Sequence, residues 1–137
     1  MSIQKPRPTR VQYALDLAEV VKTRAACNRR QIGCVVLDLN GRVAATGYND
    51  TAAGEVHCTD GGCPRGRYTH DEIPQNLGNS GHEVECVAGH AEDNATEWAL
   101  AHGIDPTTSI VAVTTAPCAE CAPKLRDQGW GQVVWRP

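Results

Sequence analysis

The chain has 137 residues, with 13 Lys and Arg against 16 Asp and Glu, a formal net charge of -3. That length suits one domain spanning residues 1–137. Hydrophobic residues at 41% and charged residues at 21% supply a core, which excludes a disordered, collagenous or coiled-coil chain. The acidic balance argues against a stable hold on nucleic acid, no apolar run approaches the ~20 residues of a membrane span, and the N-terminus carries no apolar signal-peptide core, so a cytoplasmic setting is expected.

Residues 1–8, rich in Pro and basic side chains, read as a loose arm. From Thr9 to about Arg24 the apolar residues Val11, Ala14, Leu15, Ala18 and Val21 fall on one helical face, with Thr9 placed to cap it. Gln31 to Leu39 is strand-like and apolar. Asn40-Gly41 then signals a two-residue hairpin, with Arg42 to Gly47 as the antiparallel partner. Periodicity stops between Asn49 and Gly89. A structureless stretch of about 40 residues is uncommon in a compact domain unless something ties it down. Helical spacing returns from Ala91 to His102 through Ala91, Ala95, Trp98, Ala99 and Ala101, and Gly103 stops it. Thr108 to Thr115 reads as a strand, Ala119 to Gln128 as a short helix closed by Gly129, and Gln132 to Trp135 as a last strand. The expected architecture is an α/β sandwich with a sheet of about four strands, the first two a hairpin and the later ones joined by helical crossovers.

Seven cysteines, an odd number, do not suit a disulfide scaffold in a chain without a signal peptide, and point instead to metal binding or chemistry. Cys34, inside the apolar run Ile32–Leu37, reads as core. Cys58, Cys63 and Cys86 lie in the long irregular stretch, where a metal clip would be a sufficient tie. The alternative there is a set of separate thiols.

Two motifs belong together. His90-Ala91-Glu92 and Pro117-Cys118-Ala119-Glu120-Cys121 each open a predicted helix, and crossovers of one hand bring both helix tips to one end of the sheet. The partial positive charge of a helix N-terminus favours thiolate, the form that binds zinc. His90, Cys118 and Cys121 make three ligands, which leaves the fourth tetrahedral position to water, the pattern of catalytic zinc. Glu92 need not be a ligand, and a carboxylate beside that water can move its proton. Taken alone, His-Ala-Glu is an ordinary helix start, and Cys-x-x-Cys is a redox pair or a structural zinc site. Taken together, they match the H-x-E…P-C-x-x-C arrangement of zinc nucleobase deaminases.

These segments resemble the cytidine deaminase superfamily and, within it, the deoxycytidylate (dCMP) deaminases. His90-Ala91-Glu92-Asp93-Asn94-Ala95 is similar to that family's HAExNA, and Thr114–Cys121 to its T-x-x-P-C-x-x-C. Cys27-Asn28-Arg29-Arg30-Gln31-Ile32-Gly33 resembles its C-x-R-x-x-V-G, and Ala45–Asn49 with Gly54–Cys58 and Gly62–Arg65 resembles GYNG…G-x-x-HC…GC. The resemblance covers about residues 25–135. It implies a cytidine-deaminase-like three-layer α/β/α sandwich, a mixed sheet with helices on both faces, and a homo-oligomer. It implies Zn²⁺ on His90, Cys118 and Cys121, with Glu92 as the proton carrier. The implied reaction is hydrolytic deamination of a cytosine nucleotide, dCMP to dUMP plus ammonia. Backbone near Ala91 and Ala116 would hold the base, and Asn49 would contact substrate; otherwise Asn49 is a turn residue. Two departures stand out: Asp50 replaces the second Gly of GYNG, and the chain ends after the fourth strand, where relatives continue with a further helix and strand.

The resemblance also makes Cys27, Cys58, Cys63 and Cys86 the ligands of a second, structural zinc, with His57 and His82 as second choices. His70 and His102 read as surface residues. A nucleotide phosphate needs cationic or N–H partners, and Arg29, Arg30, Arg65 and Arg67 flank the expected site, Arg29 being the one assigned. Solvated arginines are the alternative. The rival functions are deamination of a nucleoside, a free base or a cytosine-type antibiotic, and a zinc-stabilised binding module without turnover.

Overall fold

The segment Gly33–Leu37 (β1) is apolar at every position after its glycine and is buried throughout, so both of its faces need cover. In the computed structural model, which describes residues 5–27, 30–51, 55–60, 62 and 89–137, that cover comes from helices on the two sides. Val43–Tyr48 (β2) and Ile110–Val113 (β3) flank β1 antiparallel, and Gln132–Trp135 (β4) pairs parallel with β3, giving the order β2-β1-β3-β4. Side chains of a strand alternate between faces. Cys34, Val36, Val111 and Val113 therefore pack on one side with Ala91, Ala95, Ala99 and Leu125. Val35, Leu37 and Ala112 pack on the other with Ala14, Leu15 and Ala18. The helix Arg10–Lys22 (α1) thus covers one face, and Ala91–Ala101 (α2) with Cys121–Gln128 (α3) covers the other. This is the three-layer mixed α/β sandwich expected from the sequence.

Element boundaries differ where side chains take over backbone groups. Thr9 caps α1 in a reciprocal box with Gln12. Strand β1 begins at Gly33 rather than Gln31 because the Asn49 side chain accepts from the Ile32 N–H at 2.8 Å and donates to the Arg30 carbonyl at 2.7 Å. The hairpin loop has three residues rather than two. Asp38 N–H donates to the Arg42 carbonyl, the Asp38 carboxylate accepts from the Asn40 and Arg42 N–H groups, and Gly41 sits at φ 78°, a left-handed conformation favouring glycine. Strand β3 starts at Ile110 because Pro106–Thr108 forms a 3-10 turn capped by Asp105.

Helix α3 starts at Cys121, not Ala119. Pro123 has no N–H to give and fits in a first turn, where no intrahelical donor is required. On α2 the buried face is Ala91, Glu92, Ala95, Thr96 and Ala99. Trp98 does not join it; the residue is 59% exposed and its ring stacks on His102 with centroids 4.2 Å apart. The close seating of α2 depends on Gly47 of β2, where a Cβ would lie 2.4 Å from the Ala91 carbonyl oxygen and 2.6 Å from the Ala95 nitrogen. No helix among the described residues is long and apolar enough to cross a membrane.

Candidate active site

The start of β1 and the ends of β2, β3 and β4 lie at one edge of the sheet, and α2 and α3 both begin there. His90 is the N-cap residue of α2 in an extended conformation, and its side chain makes no capping hydrogen bond. The ring turns across to the other helix instead. Its Nδ1 lies 3.5 Å from Cys118 Sγ and 3.3 Å from Cys121 Sγ, and the three donor atoms fall within 4.8 Å of one another. Zinc bonds of about 2.3 Å to sulfur and about 2.0–2.1 Å to nitrogen, set at a tetrahedral angle, separate S from N by about 3.5 Å. The donor set and its spacing fit a tetrahedral zinc. Cys118 precedes α3 and Cys121 is its first residue, with the Ala122 N–H donating to the Cys118 carbonyl at 2.9 Å to close the turn between them.

Glu92 lies one step into α2 and is 2% exposed. Its charge bears on the Cys121 thiol. Burial, then the Glu92 carboxylate, then Cys118 push that thiol above the ordinary cysteine range. A divalent ion bound at these two sulfurs would invert that preference toward thiolate. Cys34 lies at the floor of the same region in the packed core. Its thiol is pushed well up by burial and by Glu92, which fits an inert core residue.

The walls are held by backbone. Asp50 and Gly89 exchange hydrogen bonds in an isolated antiparallel bridge, fixing the residue before His90. Asn94 Nδ2 donates to the Tyr48 carbonyl at 2.9 Å. Asn49 is buried, and its amide spans the backbone of Arg30 and Ile32, leaving one Nδ2 hydrogen uncommitted by these bonds. Ala91 is buried in the core beneath Glu92, while Ala116 is exposed in the loop leading to Pro117. Beside that loop the Arg30 guanidinium donates to Thr115 Oγ1 at 3.2 Å. Arg29, Arg65 and Arg67 lie outside the described residues.

Of the second cysteine set, Cys27 is buried after α1, and Cys58 opens a 3-10 turn at Cys58–Asp60. The Thr59 N–H donates to the Ala26 carbonyl at 2.9 Å, which brings the two segments side by side. Cys63, Cys86, His70 and His82 lie outside the described residues. His57 is exposed and pairs through Nδ1 with the Asp50 carboxylate at 2.9 Å. Two features escaped the sequence reasoning. Lys124 of α3 reaches Asp93 of α2 at 3.3 Å, and Glu120 Oε2 lies 3.7 Å from His90 Nε2. Spacing gives a partial signal for both, since Asp93 follows Glu92 directly and Glu120 sits between the two cysteines.

Residues 8–136 match the family model described as the cytidine and deoxycytidylate deaminase zinc-binding region. The chain is 34% identical over 130 residues to the deoxycytidylate deaminase of Schizosaccharomyces pombe, covering 94% of this chain and 37% of that protein. It is 33% identical over 129 residues to the deoxycytidylate deaminase of Saccharomyces cerevisiae, covering 94% of this chain and 38% of that protein. The chain therefore spans little more than a third of the length of these relatives. Among solved structures it is similar in fold to the dCMP deaminase of cyanophage S-TIM5 in complex with dCMP and dUMP, with a TM-score of 0.68 and 23% identity over 96% of this chain and 84% of that one.

Proposed function

The chain belongs to the cytidine and deoxycytidylate deaminase family, and from that premise we propose that it hydrolytically deaminates a cytosine nucleotide, dCMP to dUMP plus ammonia. The observation that carries this reading is the convergence of His90 Nδ1 and two sulfurs on one point beside a buried Glu92. A structural zinc site has no use for that carboxylate. The dCMP and dUMP in the S-TIM5 complex support a nucleotide as substrate.

His90, Cys118 and Cys121 hold zinc in this reading. When bound, the metal supplies the Lewis acidity that makes water a nucleophile near neutral pH. Glu92 takes the proton of the attacking water and gives it to the pyrimidine ring nitrogen next to the amino-bearing carbon. It then takes the proton of the hydroxyl newly added to the ring carbon and passes it to the amine, so that the carbon–nitrogen bond breaks, ammonia leaves and the carbonyl of a uracil ring remains. Burial keeps Glu92 from exchanging that proton with bulk solvent. Asn49 and the backbone near Ala91 and Ala116 orient the base. Arg30, with four N–H donors beyond the one given to Thr115, is suited to receive a 5′-phosphate, a role shared with Arg29 in this reading. Cys27, Cys58, Cys63 and Cys86 hold a second, structural zinc. The whole acts as a homo-oligomer in the cytoplasm.

Ammonia release from dCMP, deoxycytidine, cytosine and CMP tests the reading, with zinc counted on the same preparation. Turnover is expected with dCMP first and with two zincs per chain; one zinc removes the second site. The variant Glu92→Gln is expected to keep zinc and lose about 10³-fold in kcat. Unchanged turnover in that variant removes the assigned role, and turnover of deoxycytidine but not dCMP removes the nucleotide.

A further inference from the structure

The turn between the two cysteines carries an acidic side chain that the reaction above does not use. Glu120 is the N-cap residue of α3, and its carboxylate makes no capping hydrogen bond. It reaches back toward α2, where Oε2 lies 3.7 Å from His90 Nε2, while Nδ1 of the same ring faces both sulfurs. Both nitrogens of one imidazole thus face a single short turn, Cys118-Ala119-Glu120-Cys121.

We propose that Glu120 is the positioning residue of His90, accepting the Nε2–H and so presenting an unprotonated Nδ1 to the metal. The inference rests on the reading that His90, Cys118 and Cys121 hold zinc. A neutral imidazole has one N–H and one lone pair, and a metal needs the lone pair. A carboxylate on the other nitrogen selects that tautomer, fixes the ring and raises its basicity. His90 needs outside help of this kind. It stands at the very start of α2, and its own helix makes no side-chain bond to it. The Lys124 ammonium is engaged chiefly with Asp93 and feels the Glu120 charge only as a lesser influence. At 3.7 Å the pair stands at ion-pair distance, and a small side-chain rotation brings it within hydrogen-bond range. Glu120 is 56% exposed at its side chain, so its effect belongs at the weak end of the range for such partners.

The test is zinc affinity of the purified chain, measured by competition with a chromogenic chelator. Glu120→Ala is expected to weaken zinc about tenfold, and Glu120→Gln, which still offers an oxygen, less than about threefold. Glu97→Gln, on an exposed part of α2, is the control and should change nothing. Melting of the metal-free Glu120→Ala chain should match the parent, separating positioning from folding. Nitrogen NMR of the zinc-loaded chain should show the His90 proton held on Nε2 in the parent and exchanging faster in Glu120→Ala. Zinc affinity of Glu120→Ala within about twofold of the parent, or an unchanged His90 signal, overturns the proposal. A parent chain that binds no zinc overturns the metal reading first and this inference with it. If Glu120→Ala does not fold, Glu120→Asp is measured instead. Full affinity is then expected only if the shorter carboxylate still shields the Nε2 proton, and full affinity with an unshielded proton overturns the proposal.

Discussion

Helix α2 presses Ala91, Glu92, Ala95, Thr96 and Ala99 into the molecule, whereas α3 buries only Cys121 and Leu125. Both helices open on donors of the same site, yet α2 is seated by packing on three strands and α3 hangs by one leucine, Trp130 beyond its end, and ties to α2. The cause is local. The alanines of α2 allow a close approach over Gly47, while α3 is an eight-residue, polar stretch with a proline in its first turn, too short to be stable by itself. Half of the site is therefore held by packing, while the other half leans on the Lys124–Asp93 contact and, in the reading above, on ligation.

The largest effect is expected from disturbing the tight half. Gly47→Ala sets a methyl against the Ala91 carbonyl and the Ala95 nitrogen, backbone atoms that cannot swing aside. A loss of about 3 kcal/mol in urea unfolding is expected, together with loss of zinc. A loss under about 0.5 kcal/mol would mean that α2 floats over β2, and the contrast between the helices would disappear. A smaller, more local effect follows from removing metal. Chelation should raise amide exchange at least about tenfold in residues 121–128 and leave residues 95–101 nearly unchanged. Equal loosening of both helices would show that α3 is seated by packing after all.

The same contrast governs what could be read from the sequence. The sheet and α2 were legible because burial on both faces leaves a continuous apolar run in β1, and because α2 keeps its small residues at helical spacing. The convergence of His90, Cys118 and Cys121 was legible because His and Cys are rare side chains and stand here at distinctive spacing. The start of α3 was missed by two residues because Pro123, not hydrophobic period, sets it. The start of β1 was missed because a buried Asn49 side chain took the hydrogen bonds of a strand. Trp98 was misplaced for a different reason: it lies beyond the edge of the buried stripe, and hydrophobicity alone does not distinguish an edge from a centre. The Lys124–Asp93 and Glu120–His90 contacts join segments far apart in the chain, and only the fold brings them together.

The weakest expected effect sharpens the account of how the tight half is anchored. Asp50 fixes Gly89 through its backbone, and its carboxylate holds His57. Burial by itself would raise the Asp50 carboxyl, but hydrogen bonds from His57 and Thr51 outweigh it and hold that group below the ordinary 3.8. The hydrogen bond to Asp50 and then its charge raise His57 above the ordinary 6.5. The folded chain therefore binds the His57 proton more tightly than the unfolded chain does. That contribution is whole below 6.5 and is lost as pH rises through the raised value. The Asp50 contribution is present above 3.8 and is lost as pH falls through the lowered value. The pair is at full strength between those two ordinary values. Protection of the Gly89 amide, corrected for intrinsic exchange, should therefore decline as pH rises from about 6 to about 8. His57→Gln should remove this slope without moving α3. If the decline persists in His57→Gln, another group anchors the residue before His90, and the rigidity of α2 at its first turn owes nothing to this pair.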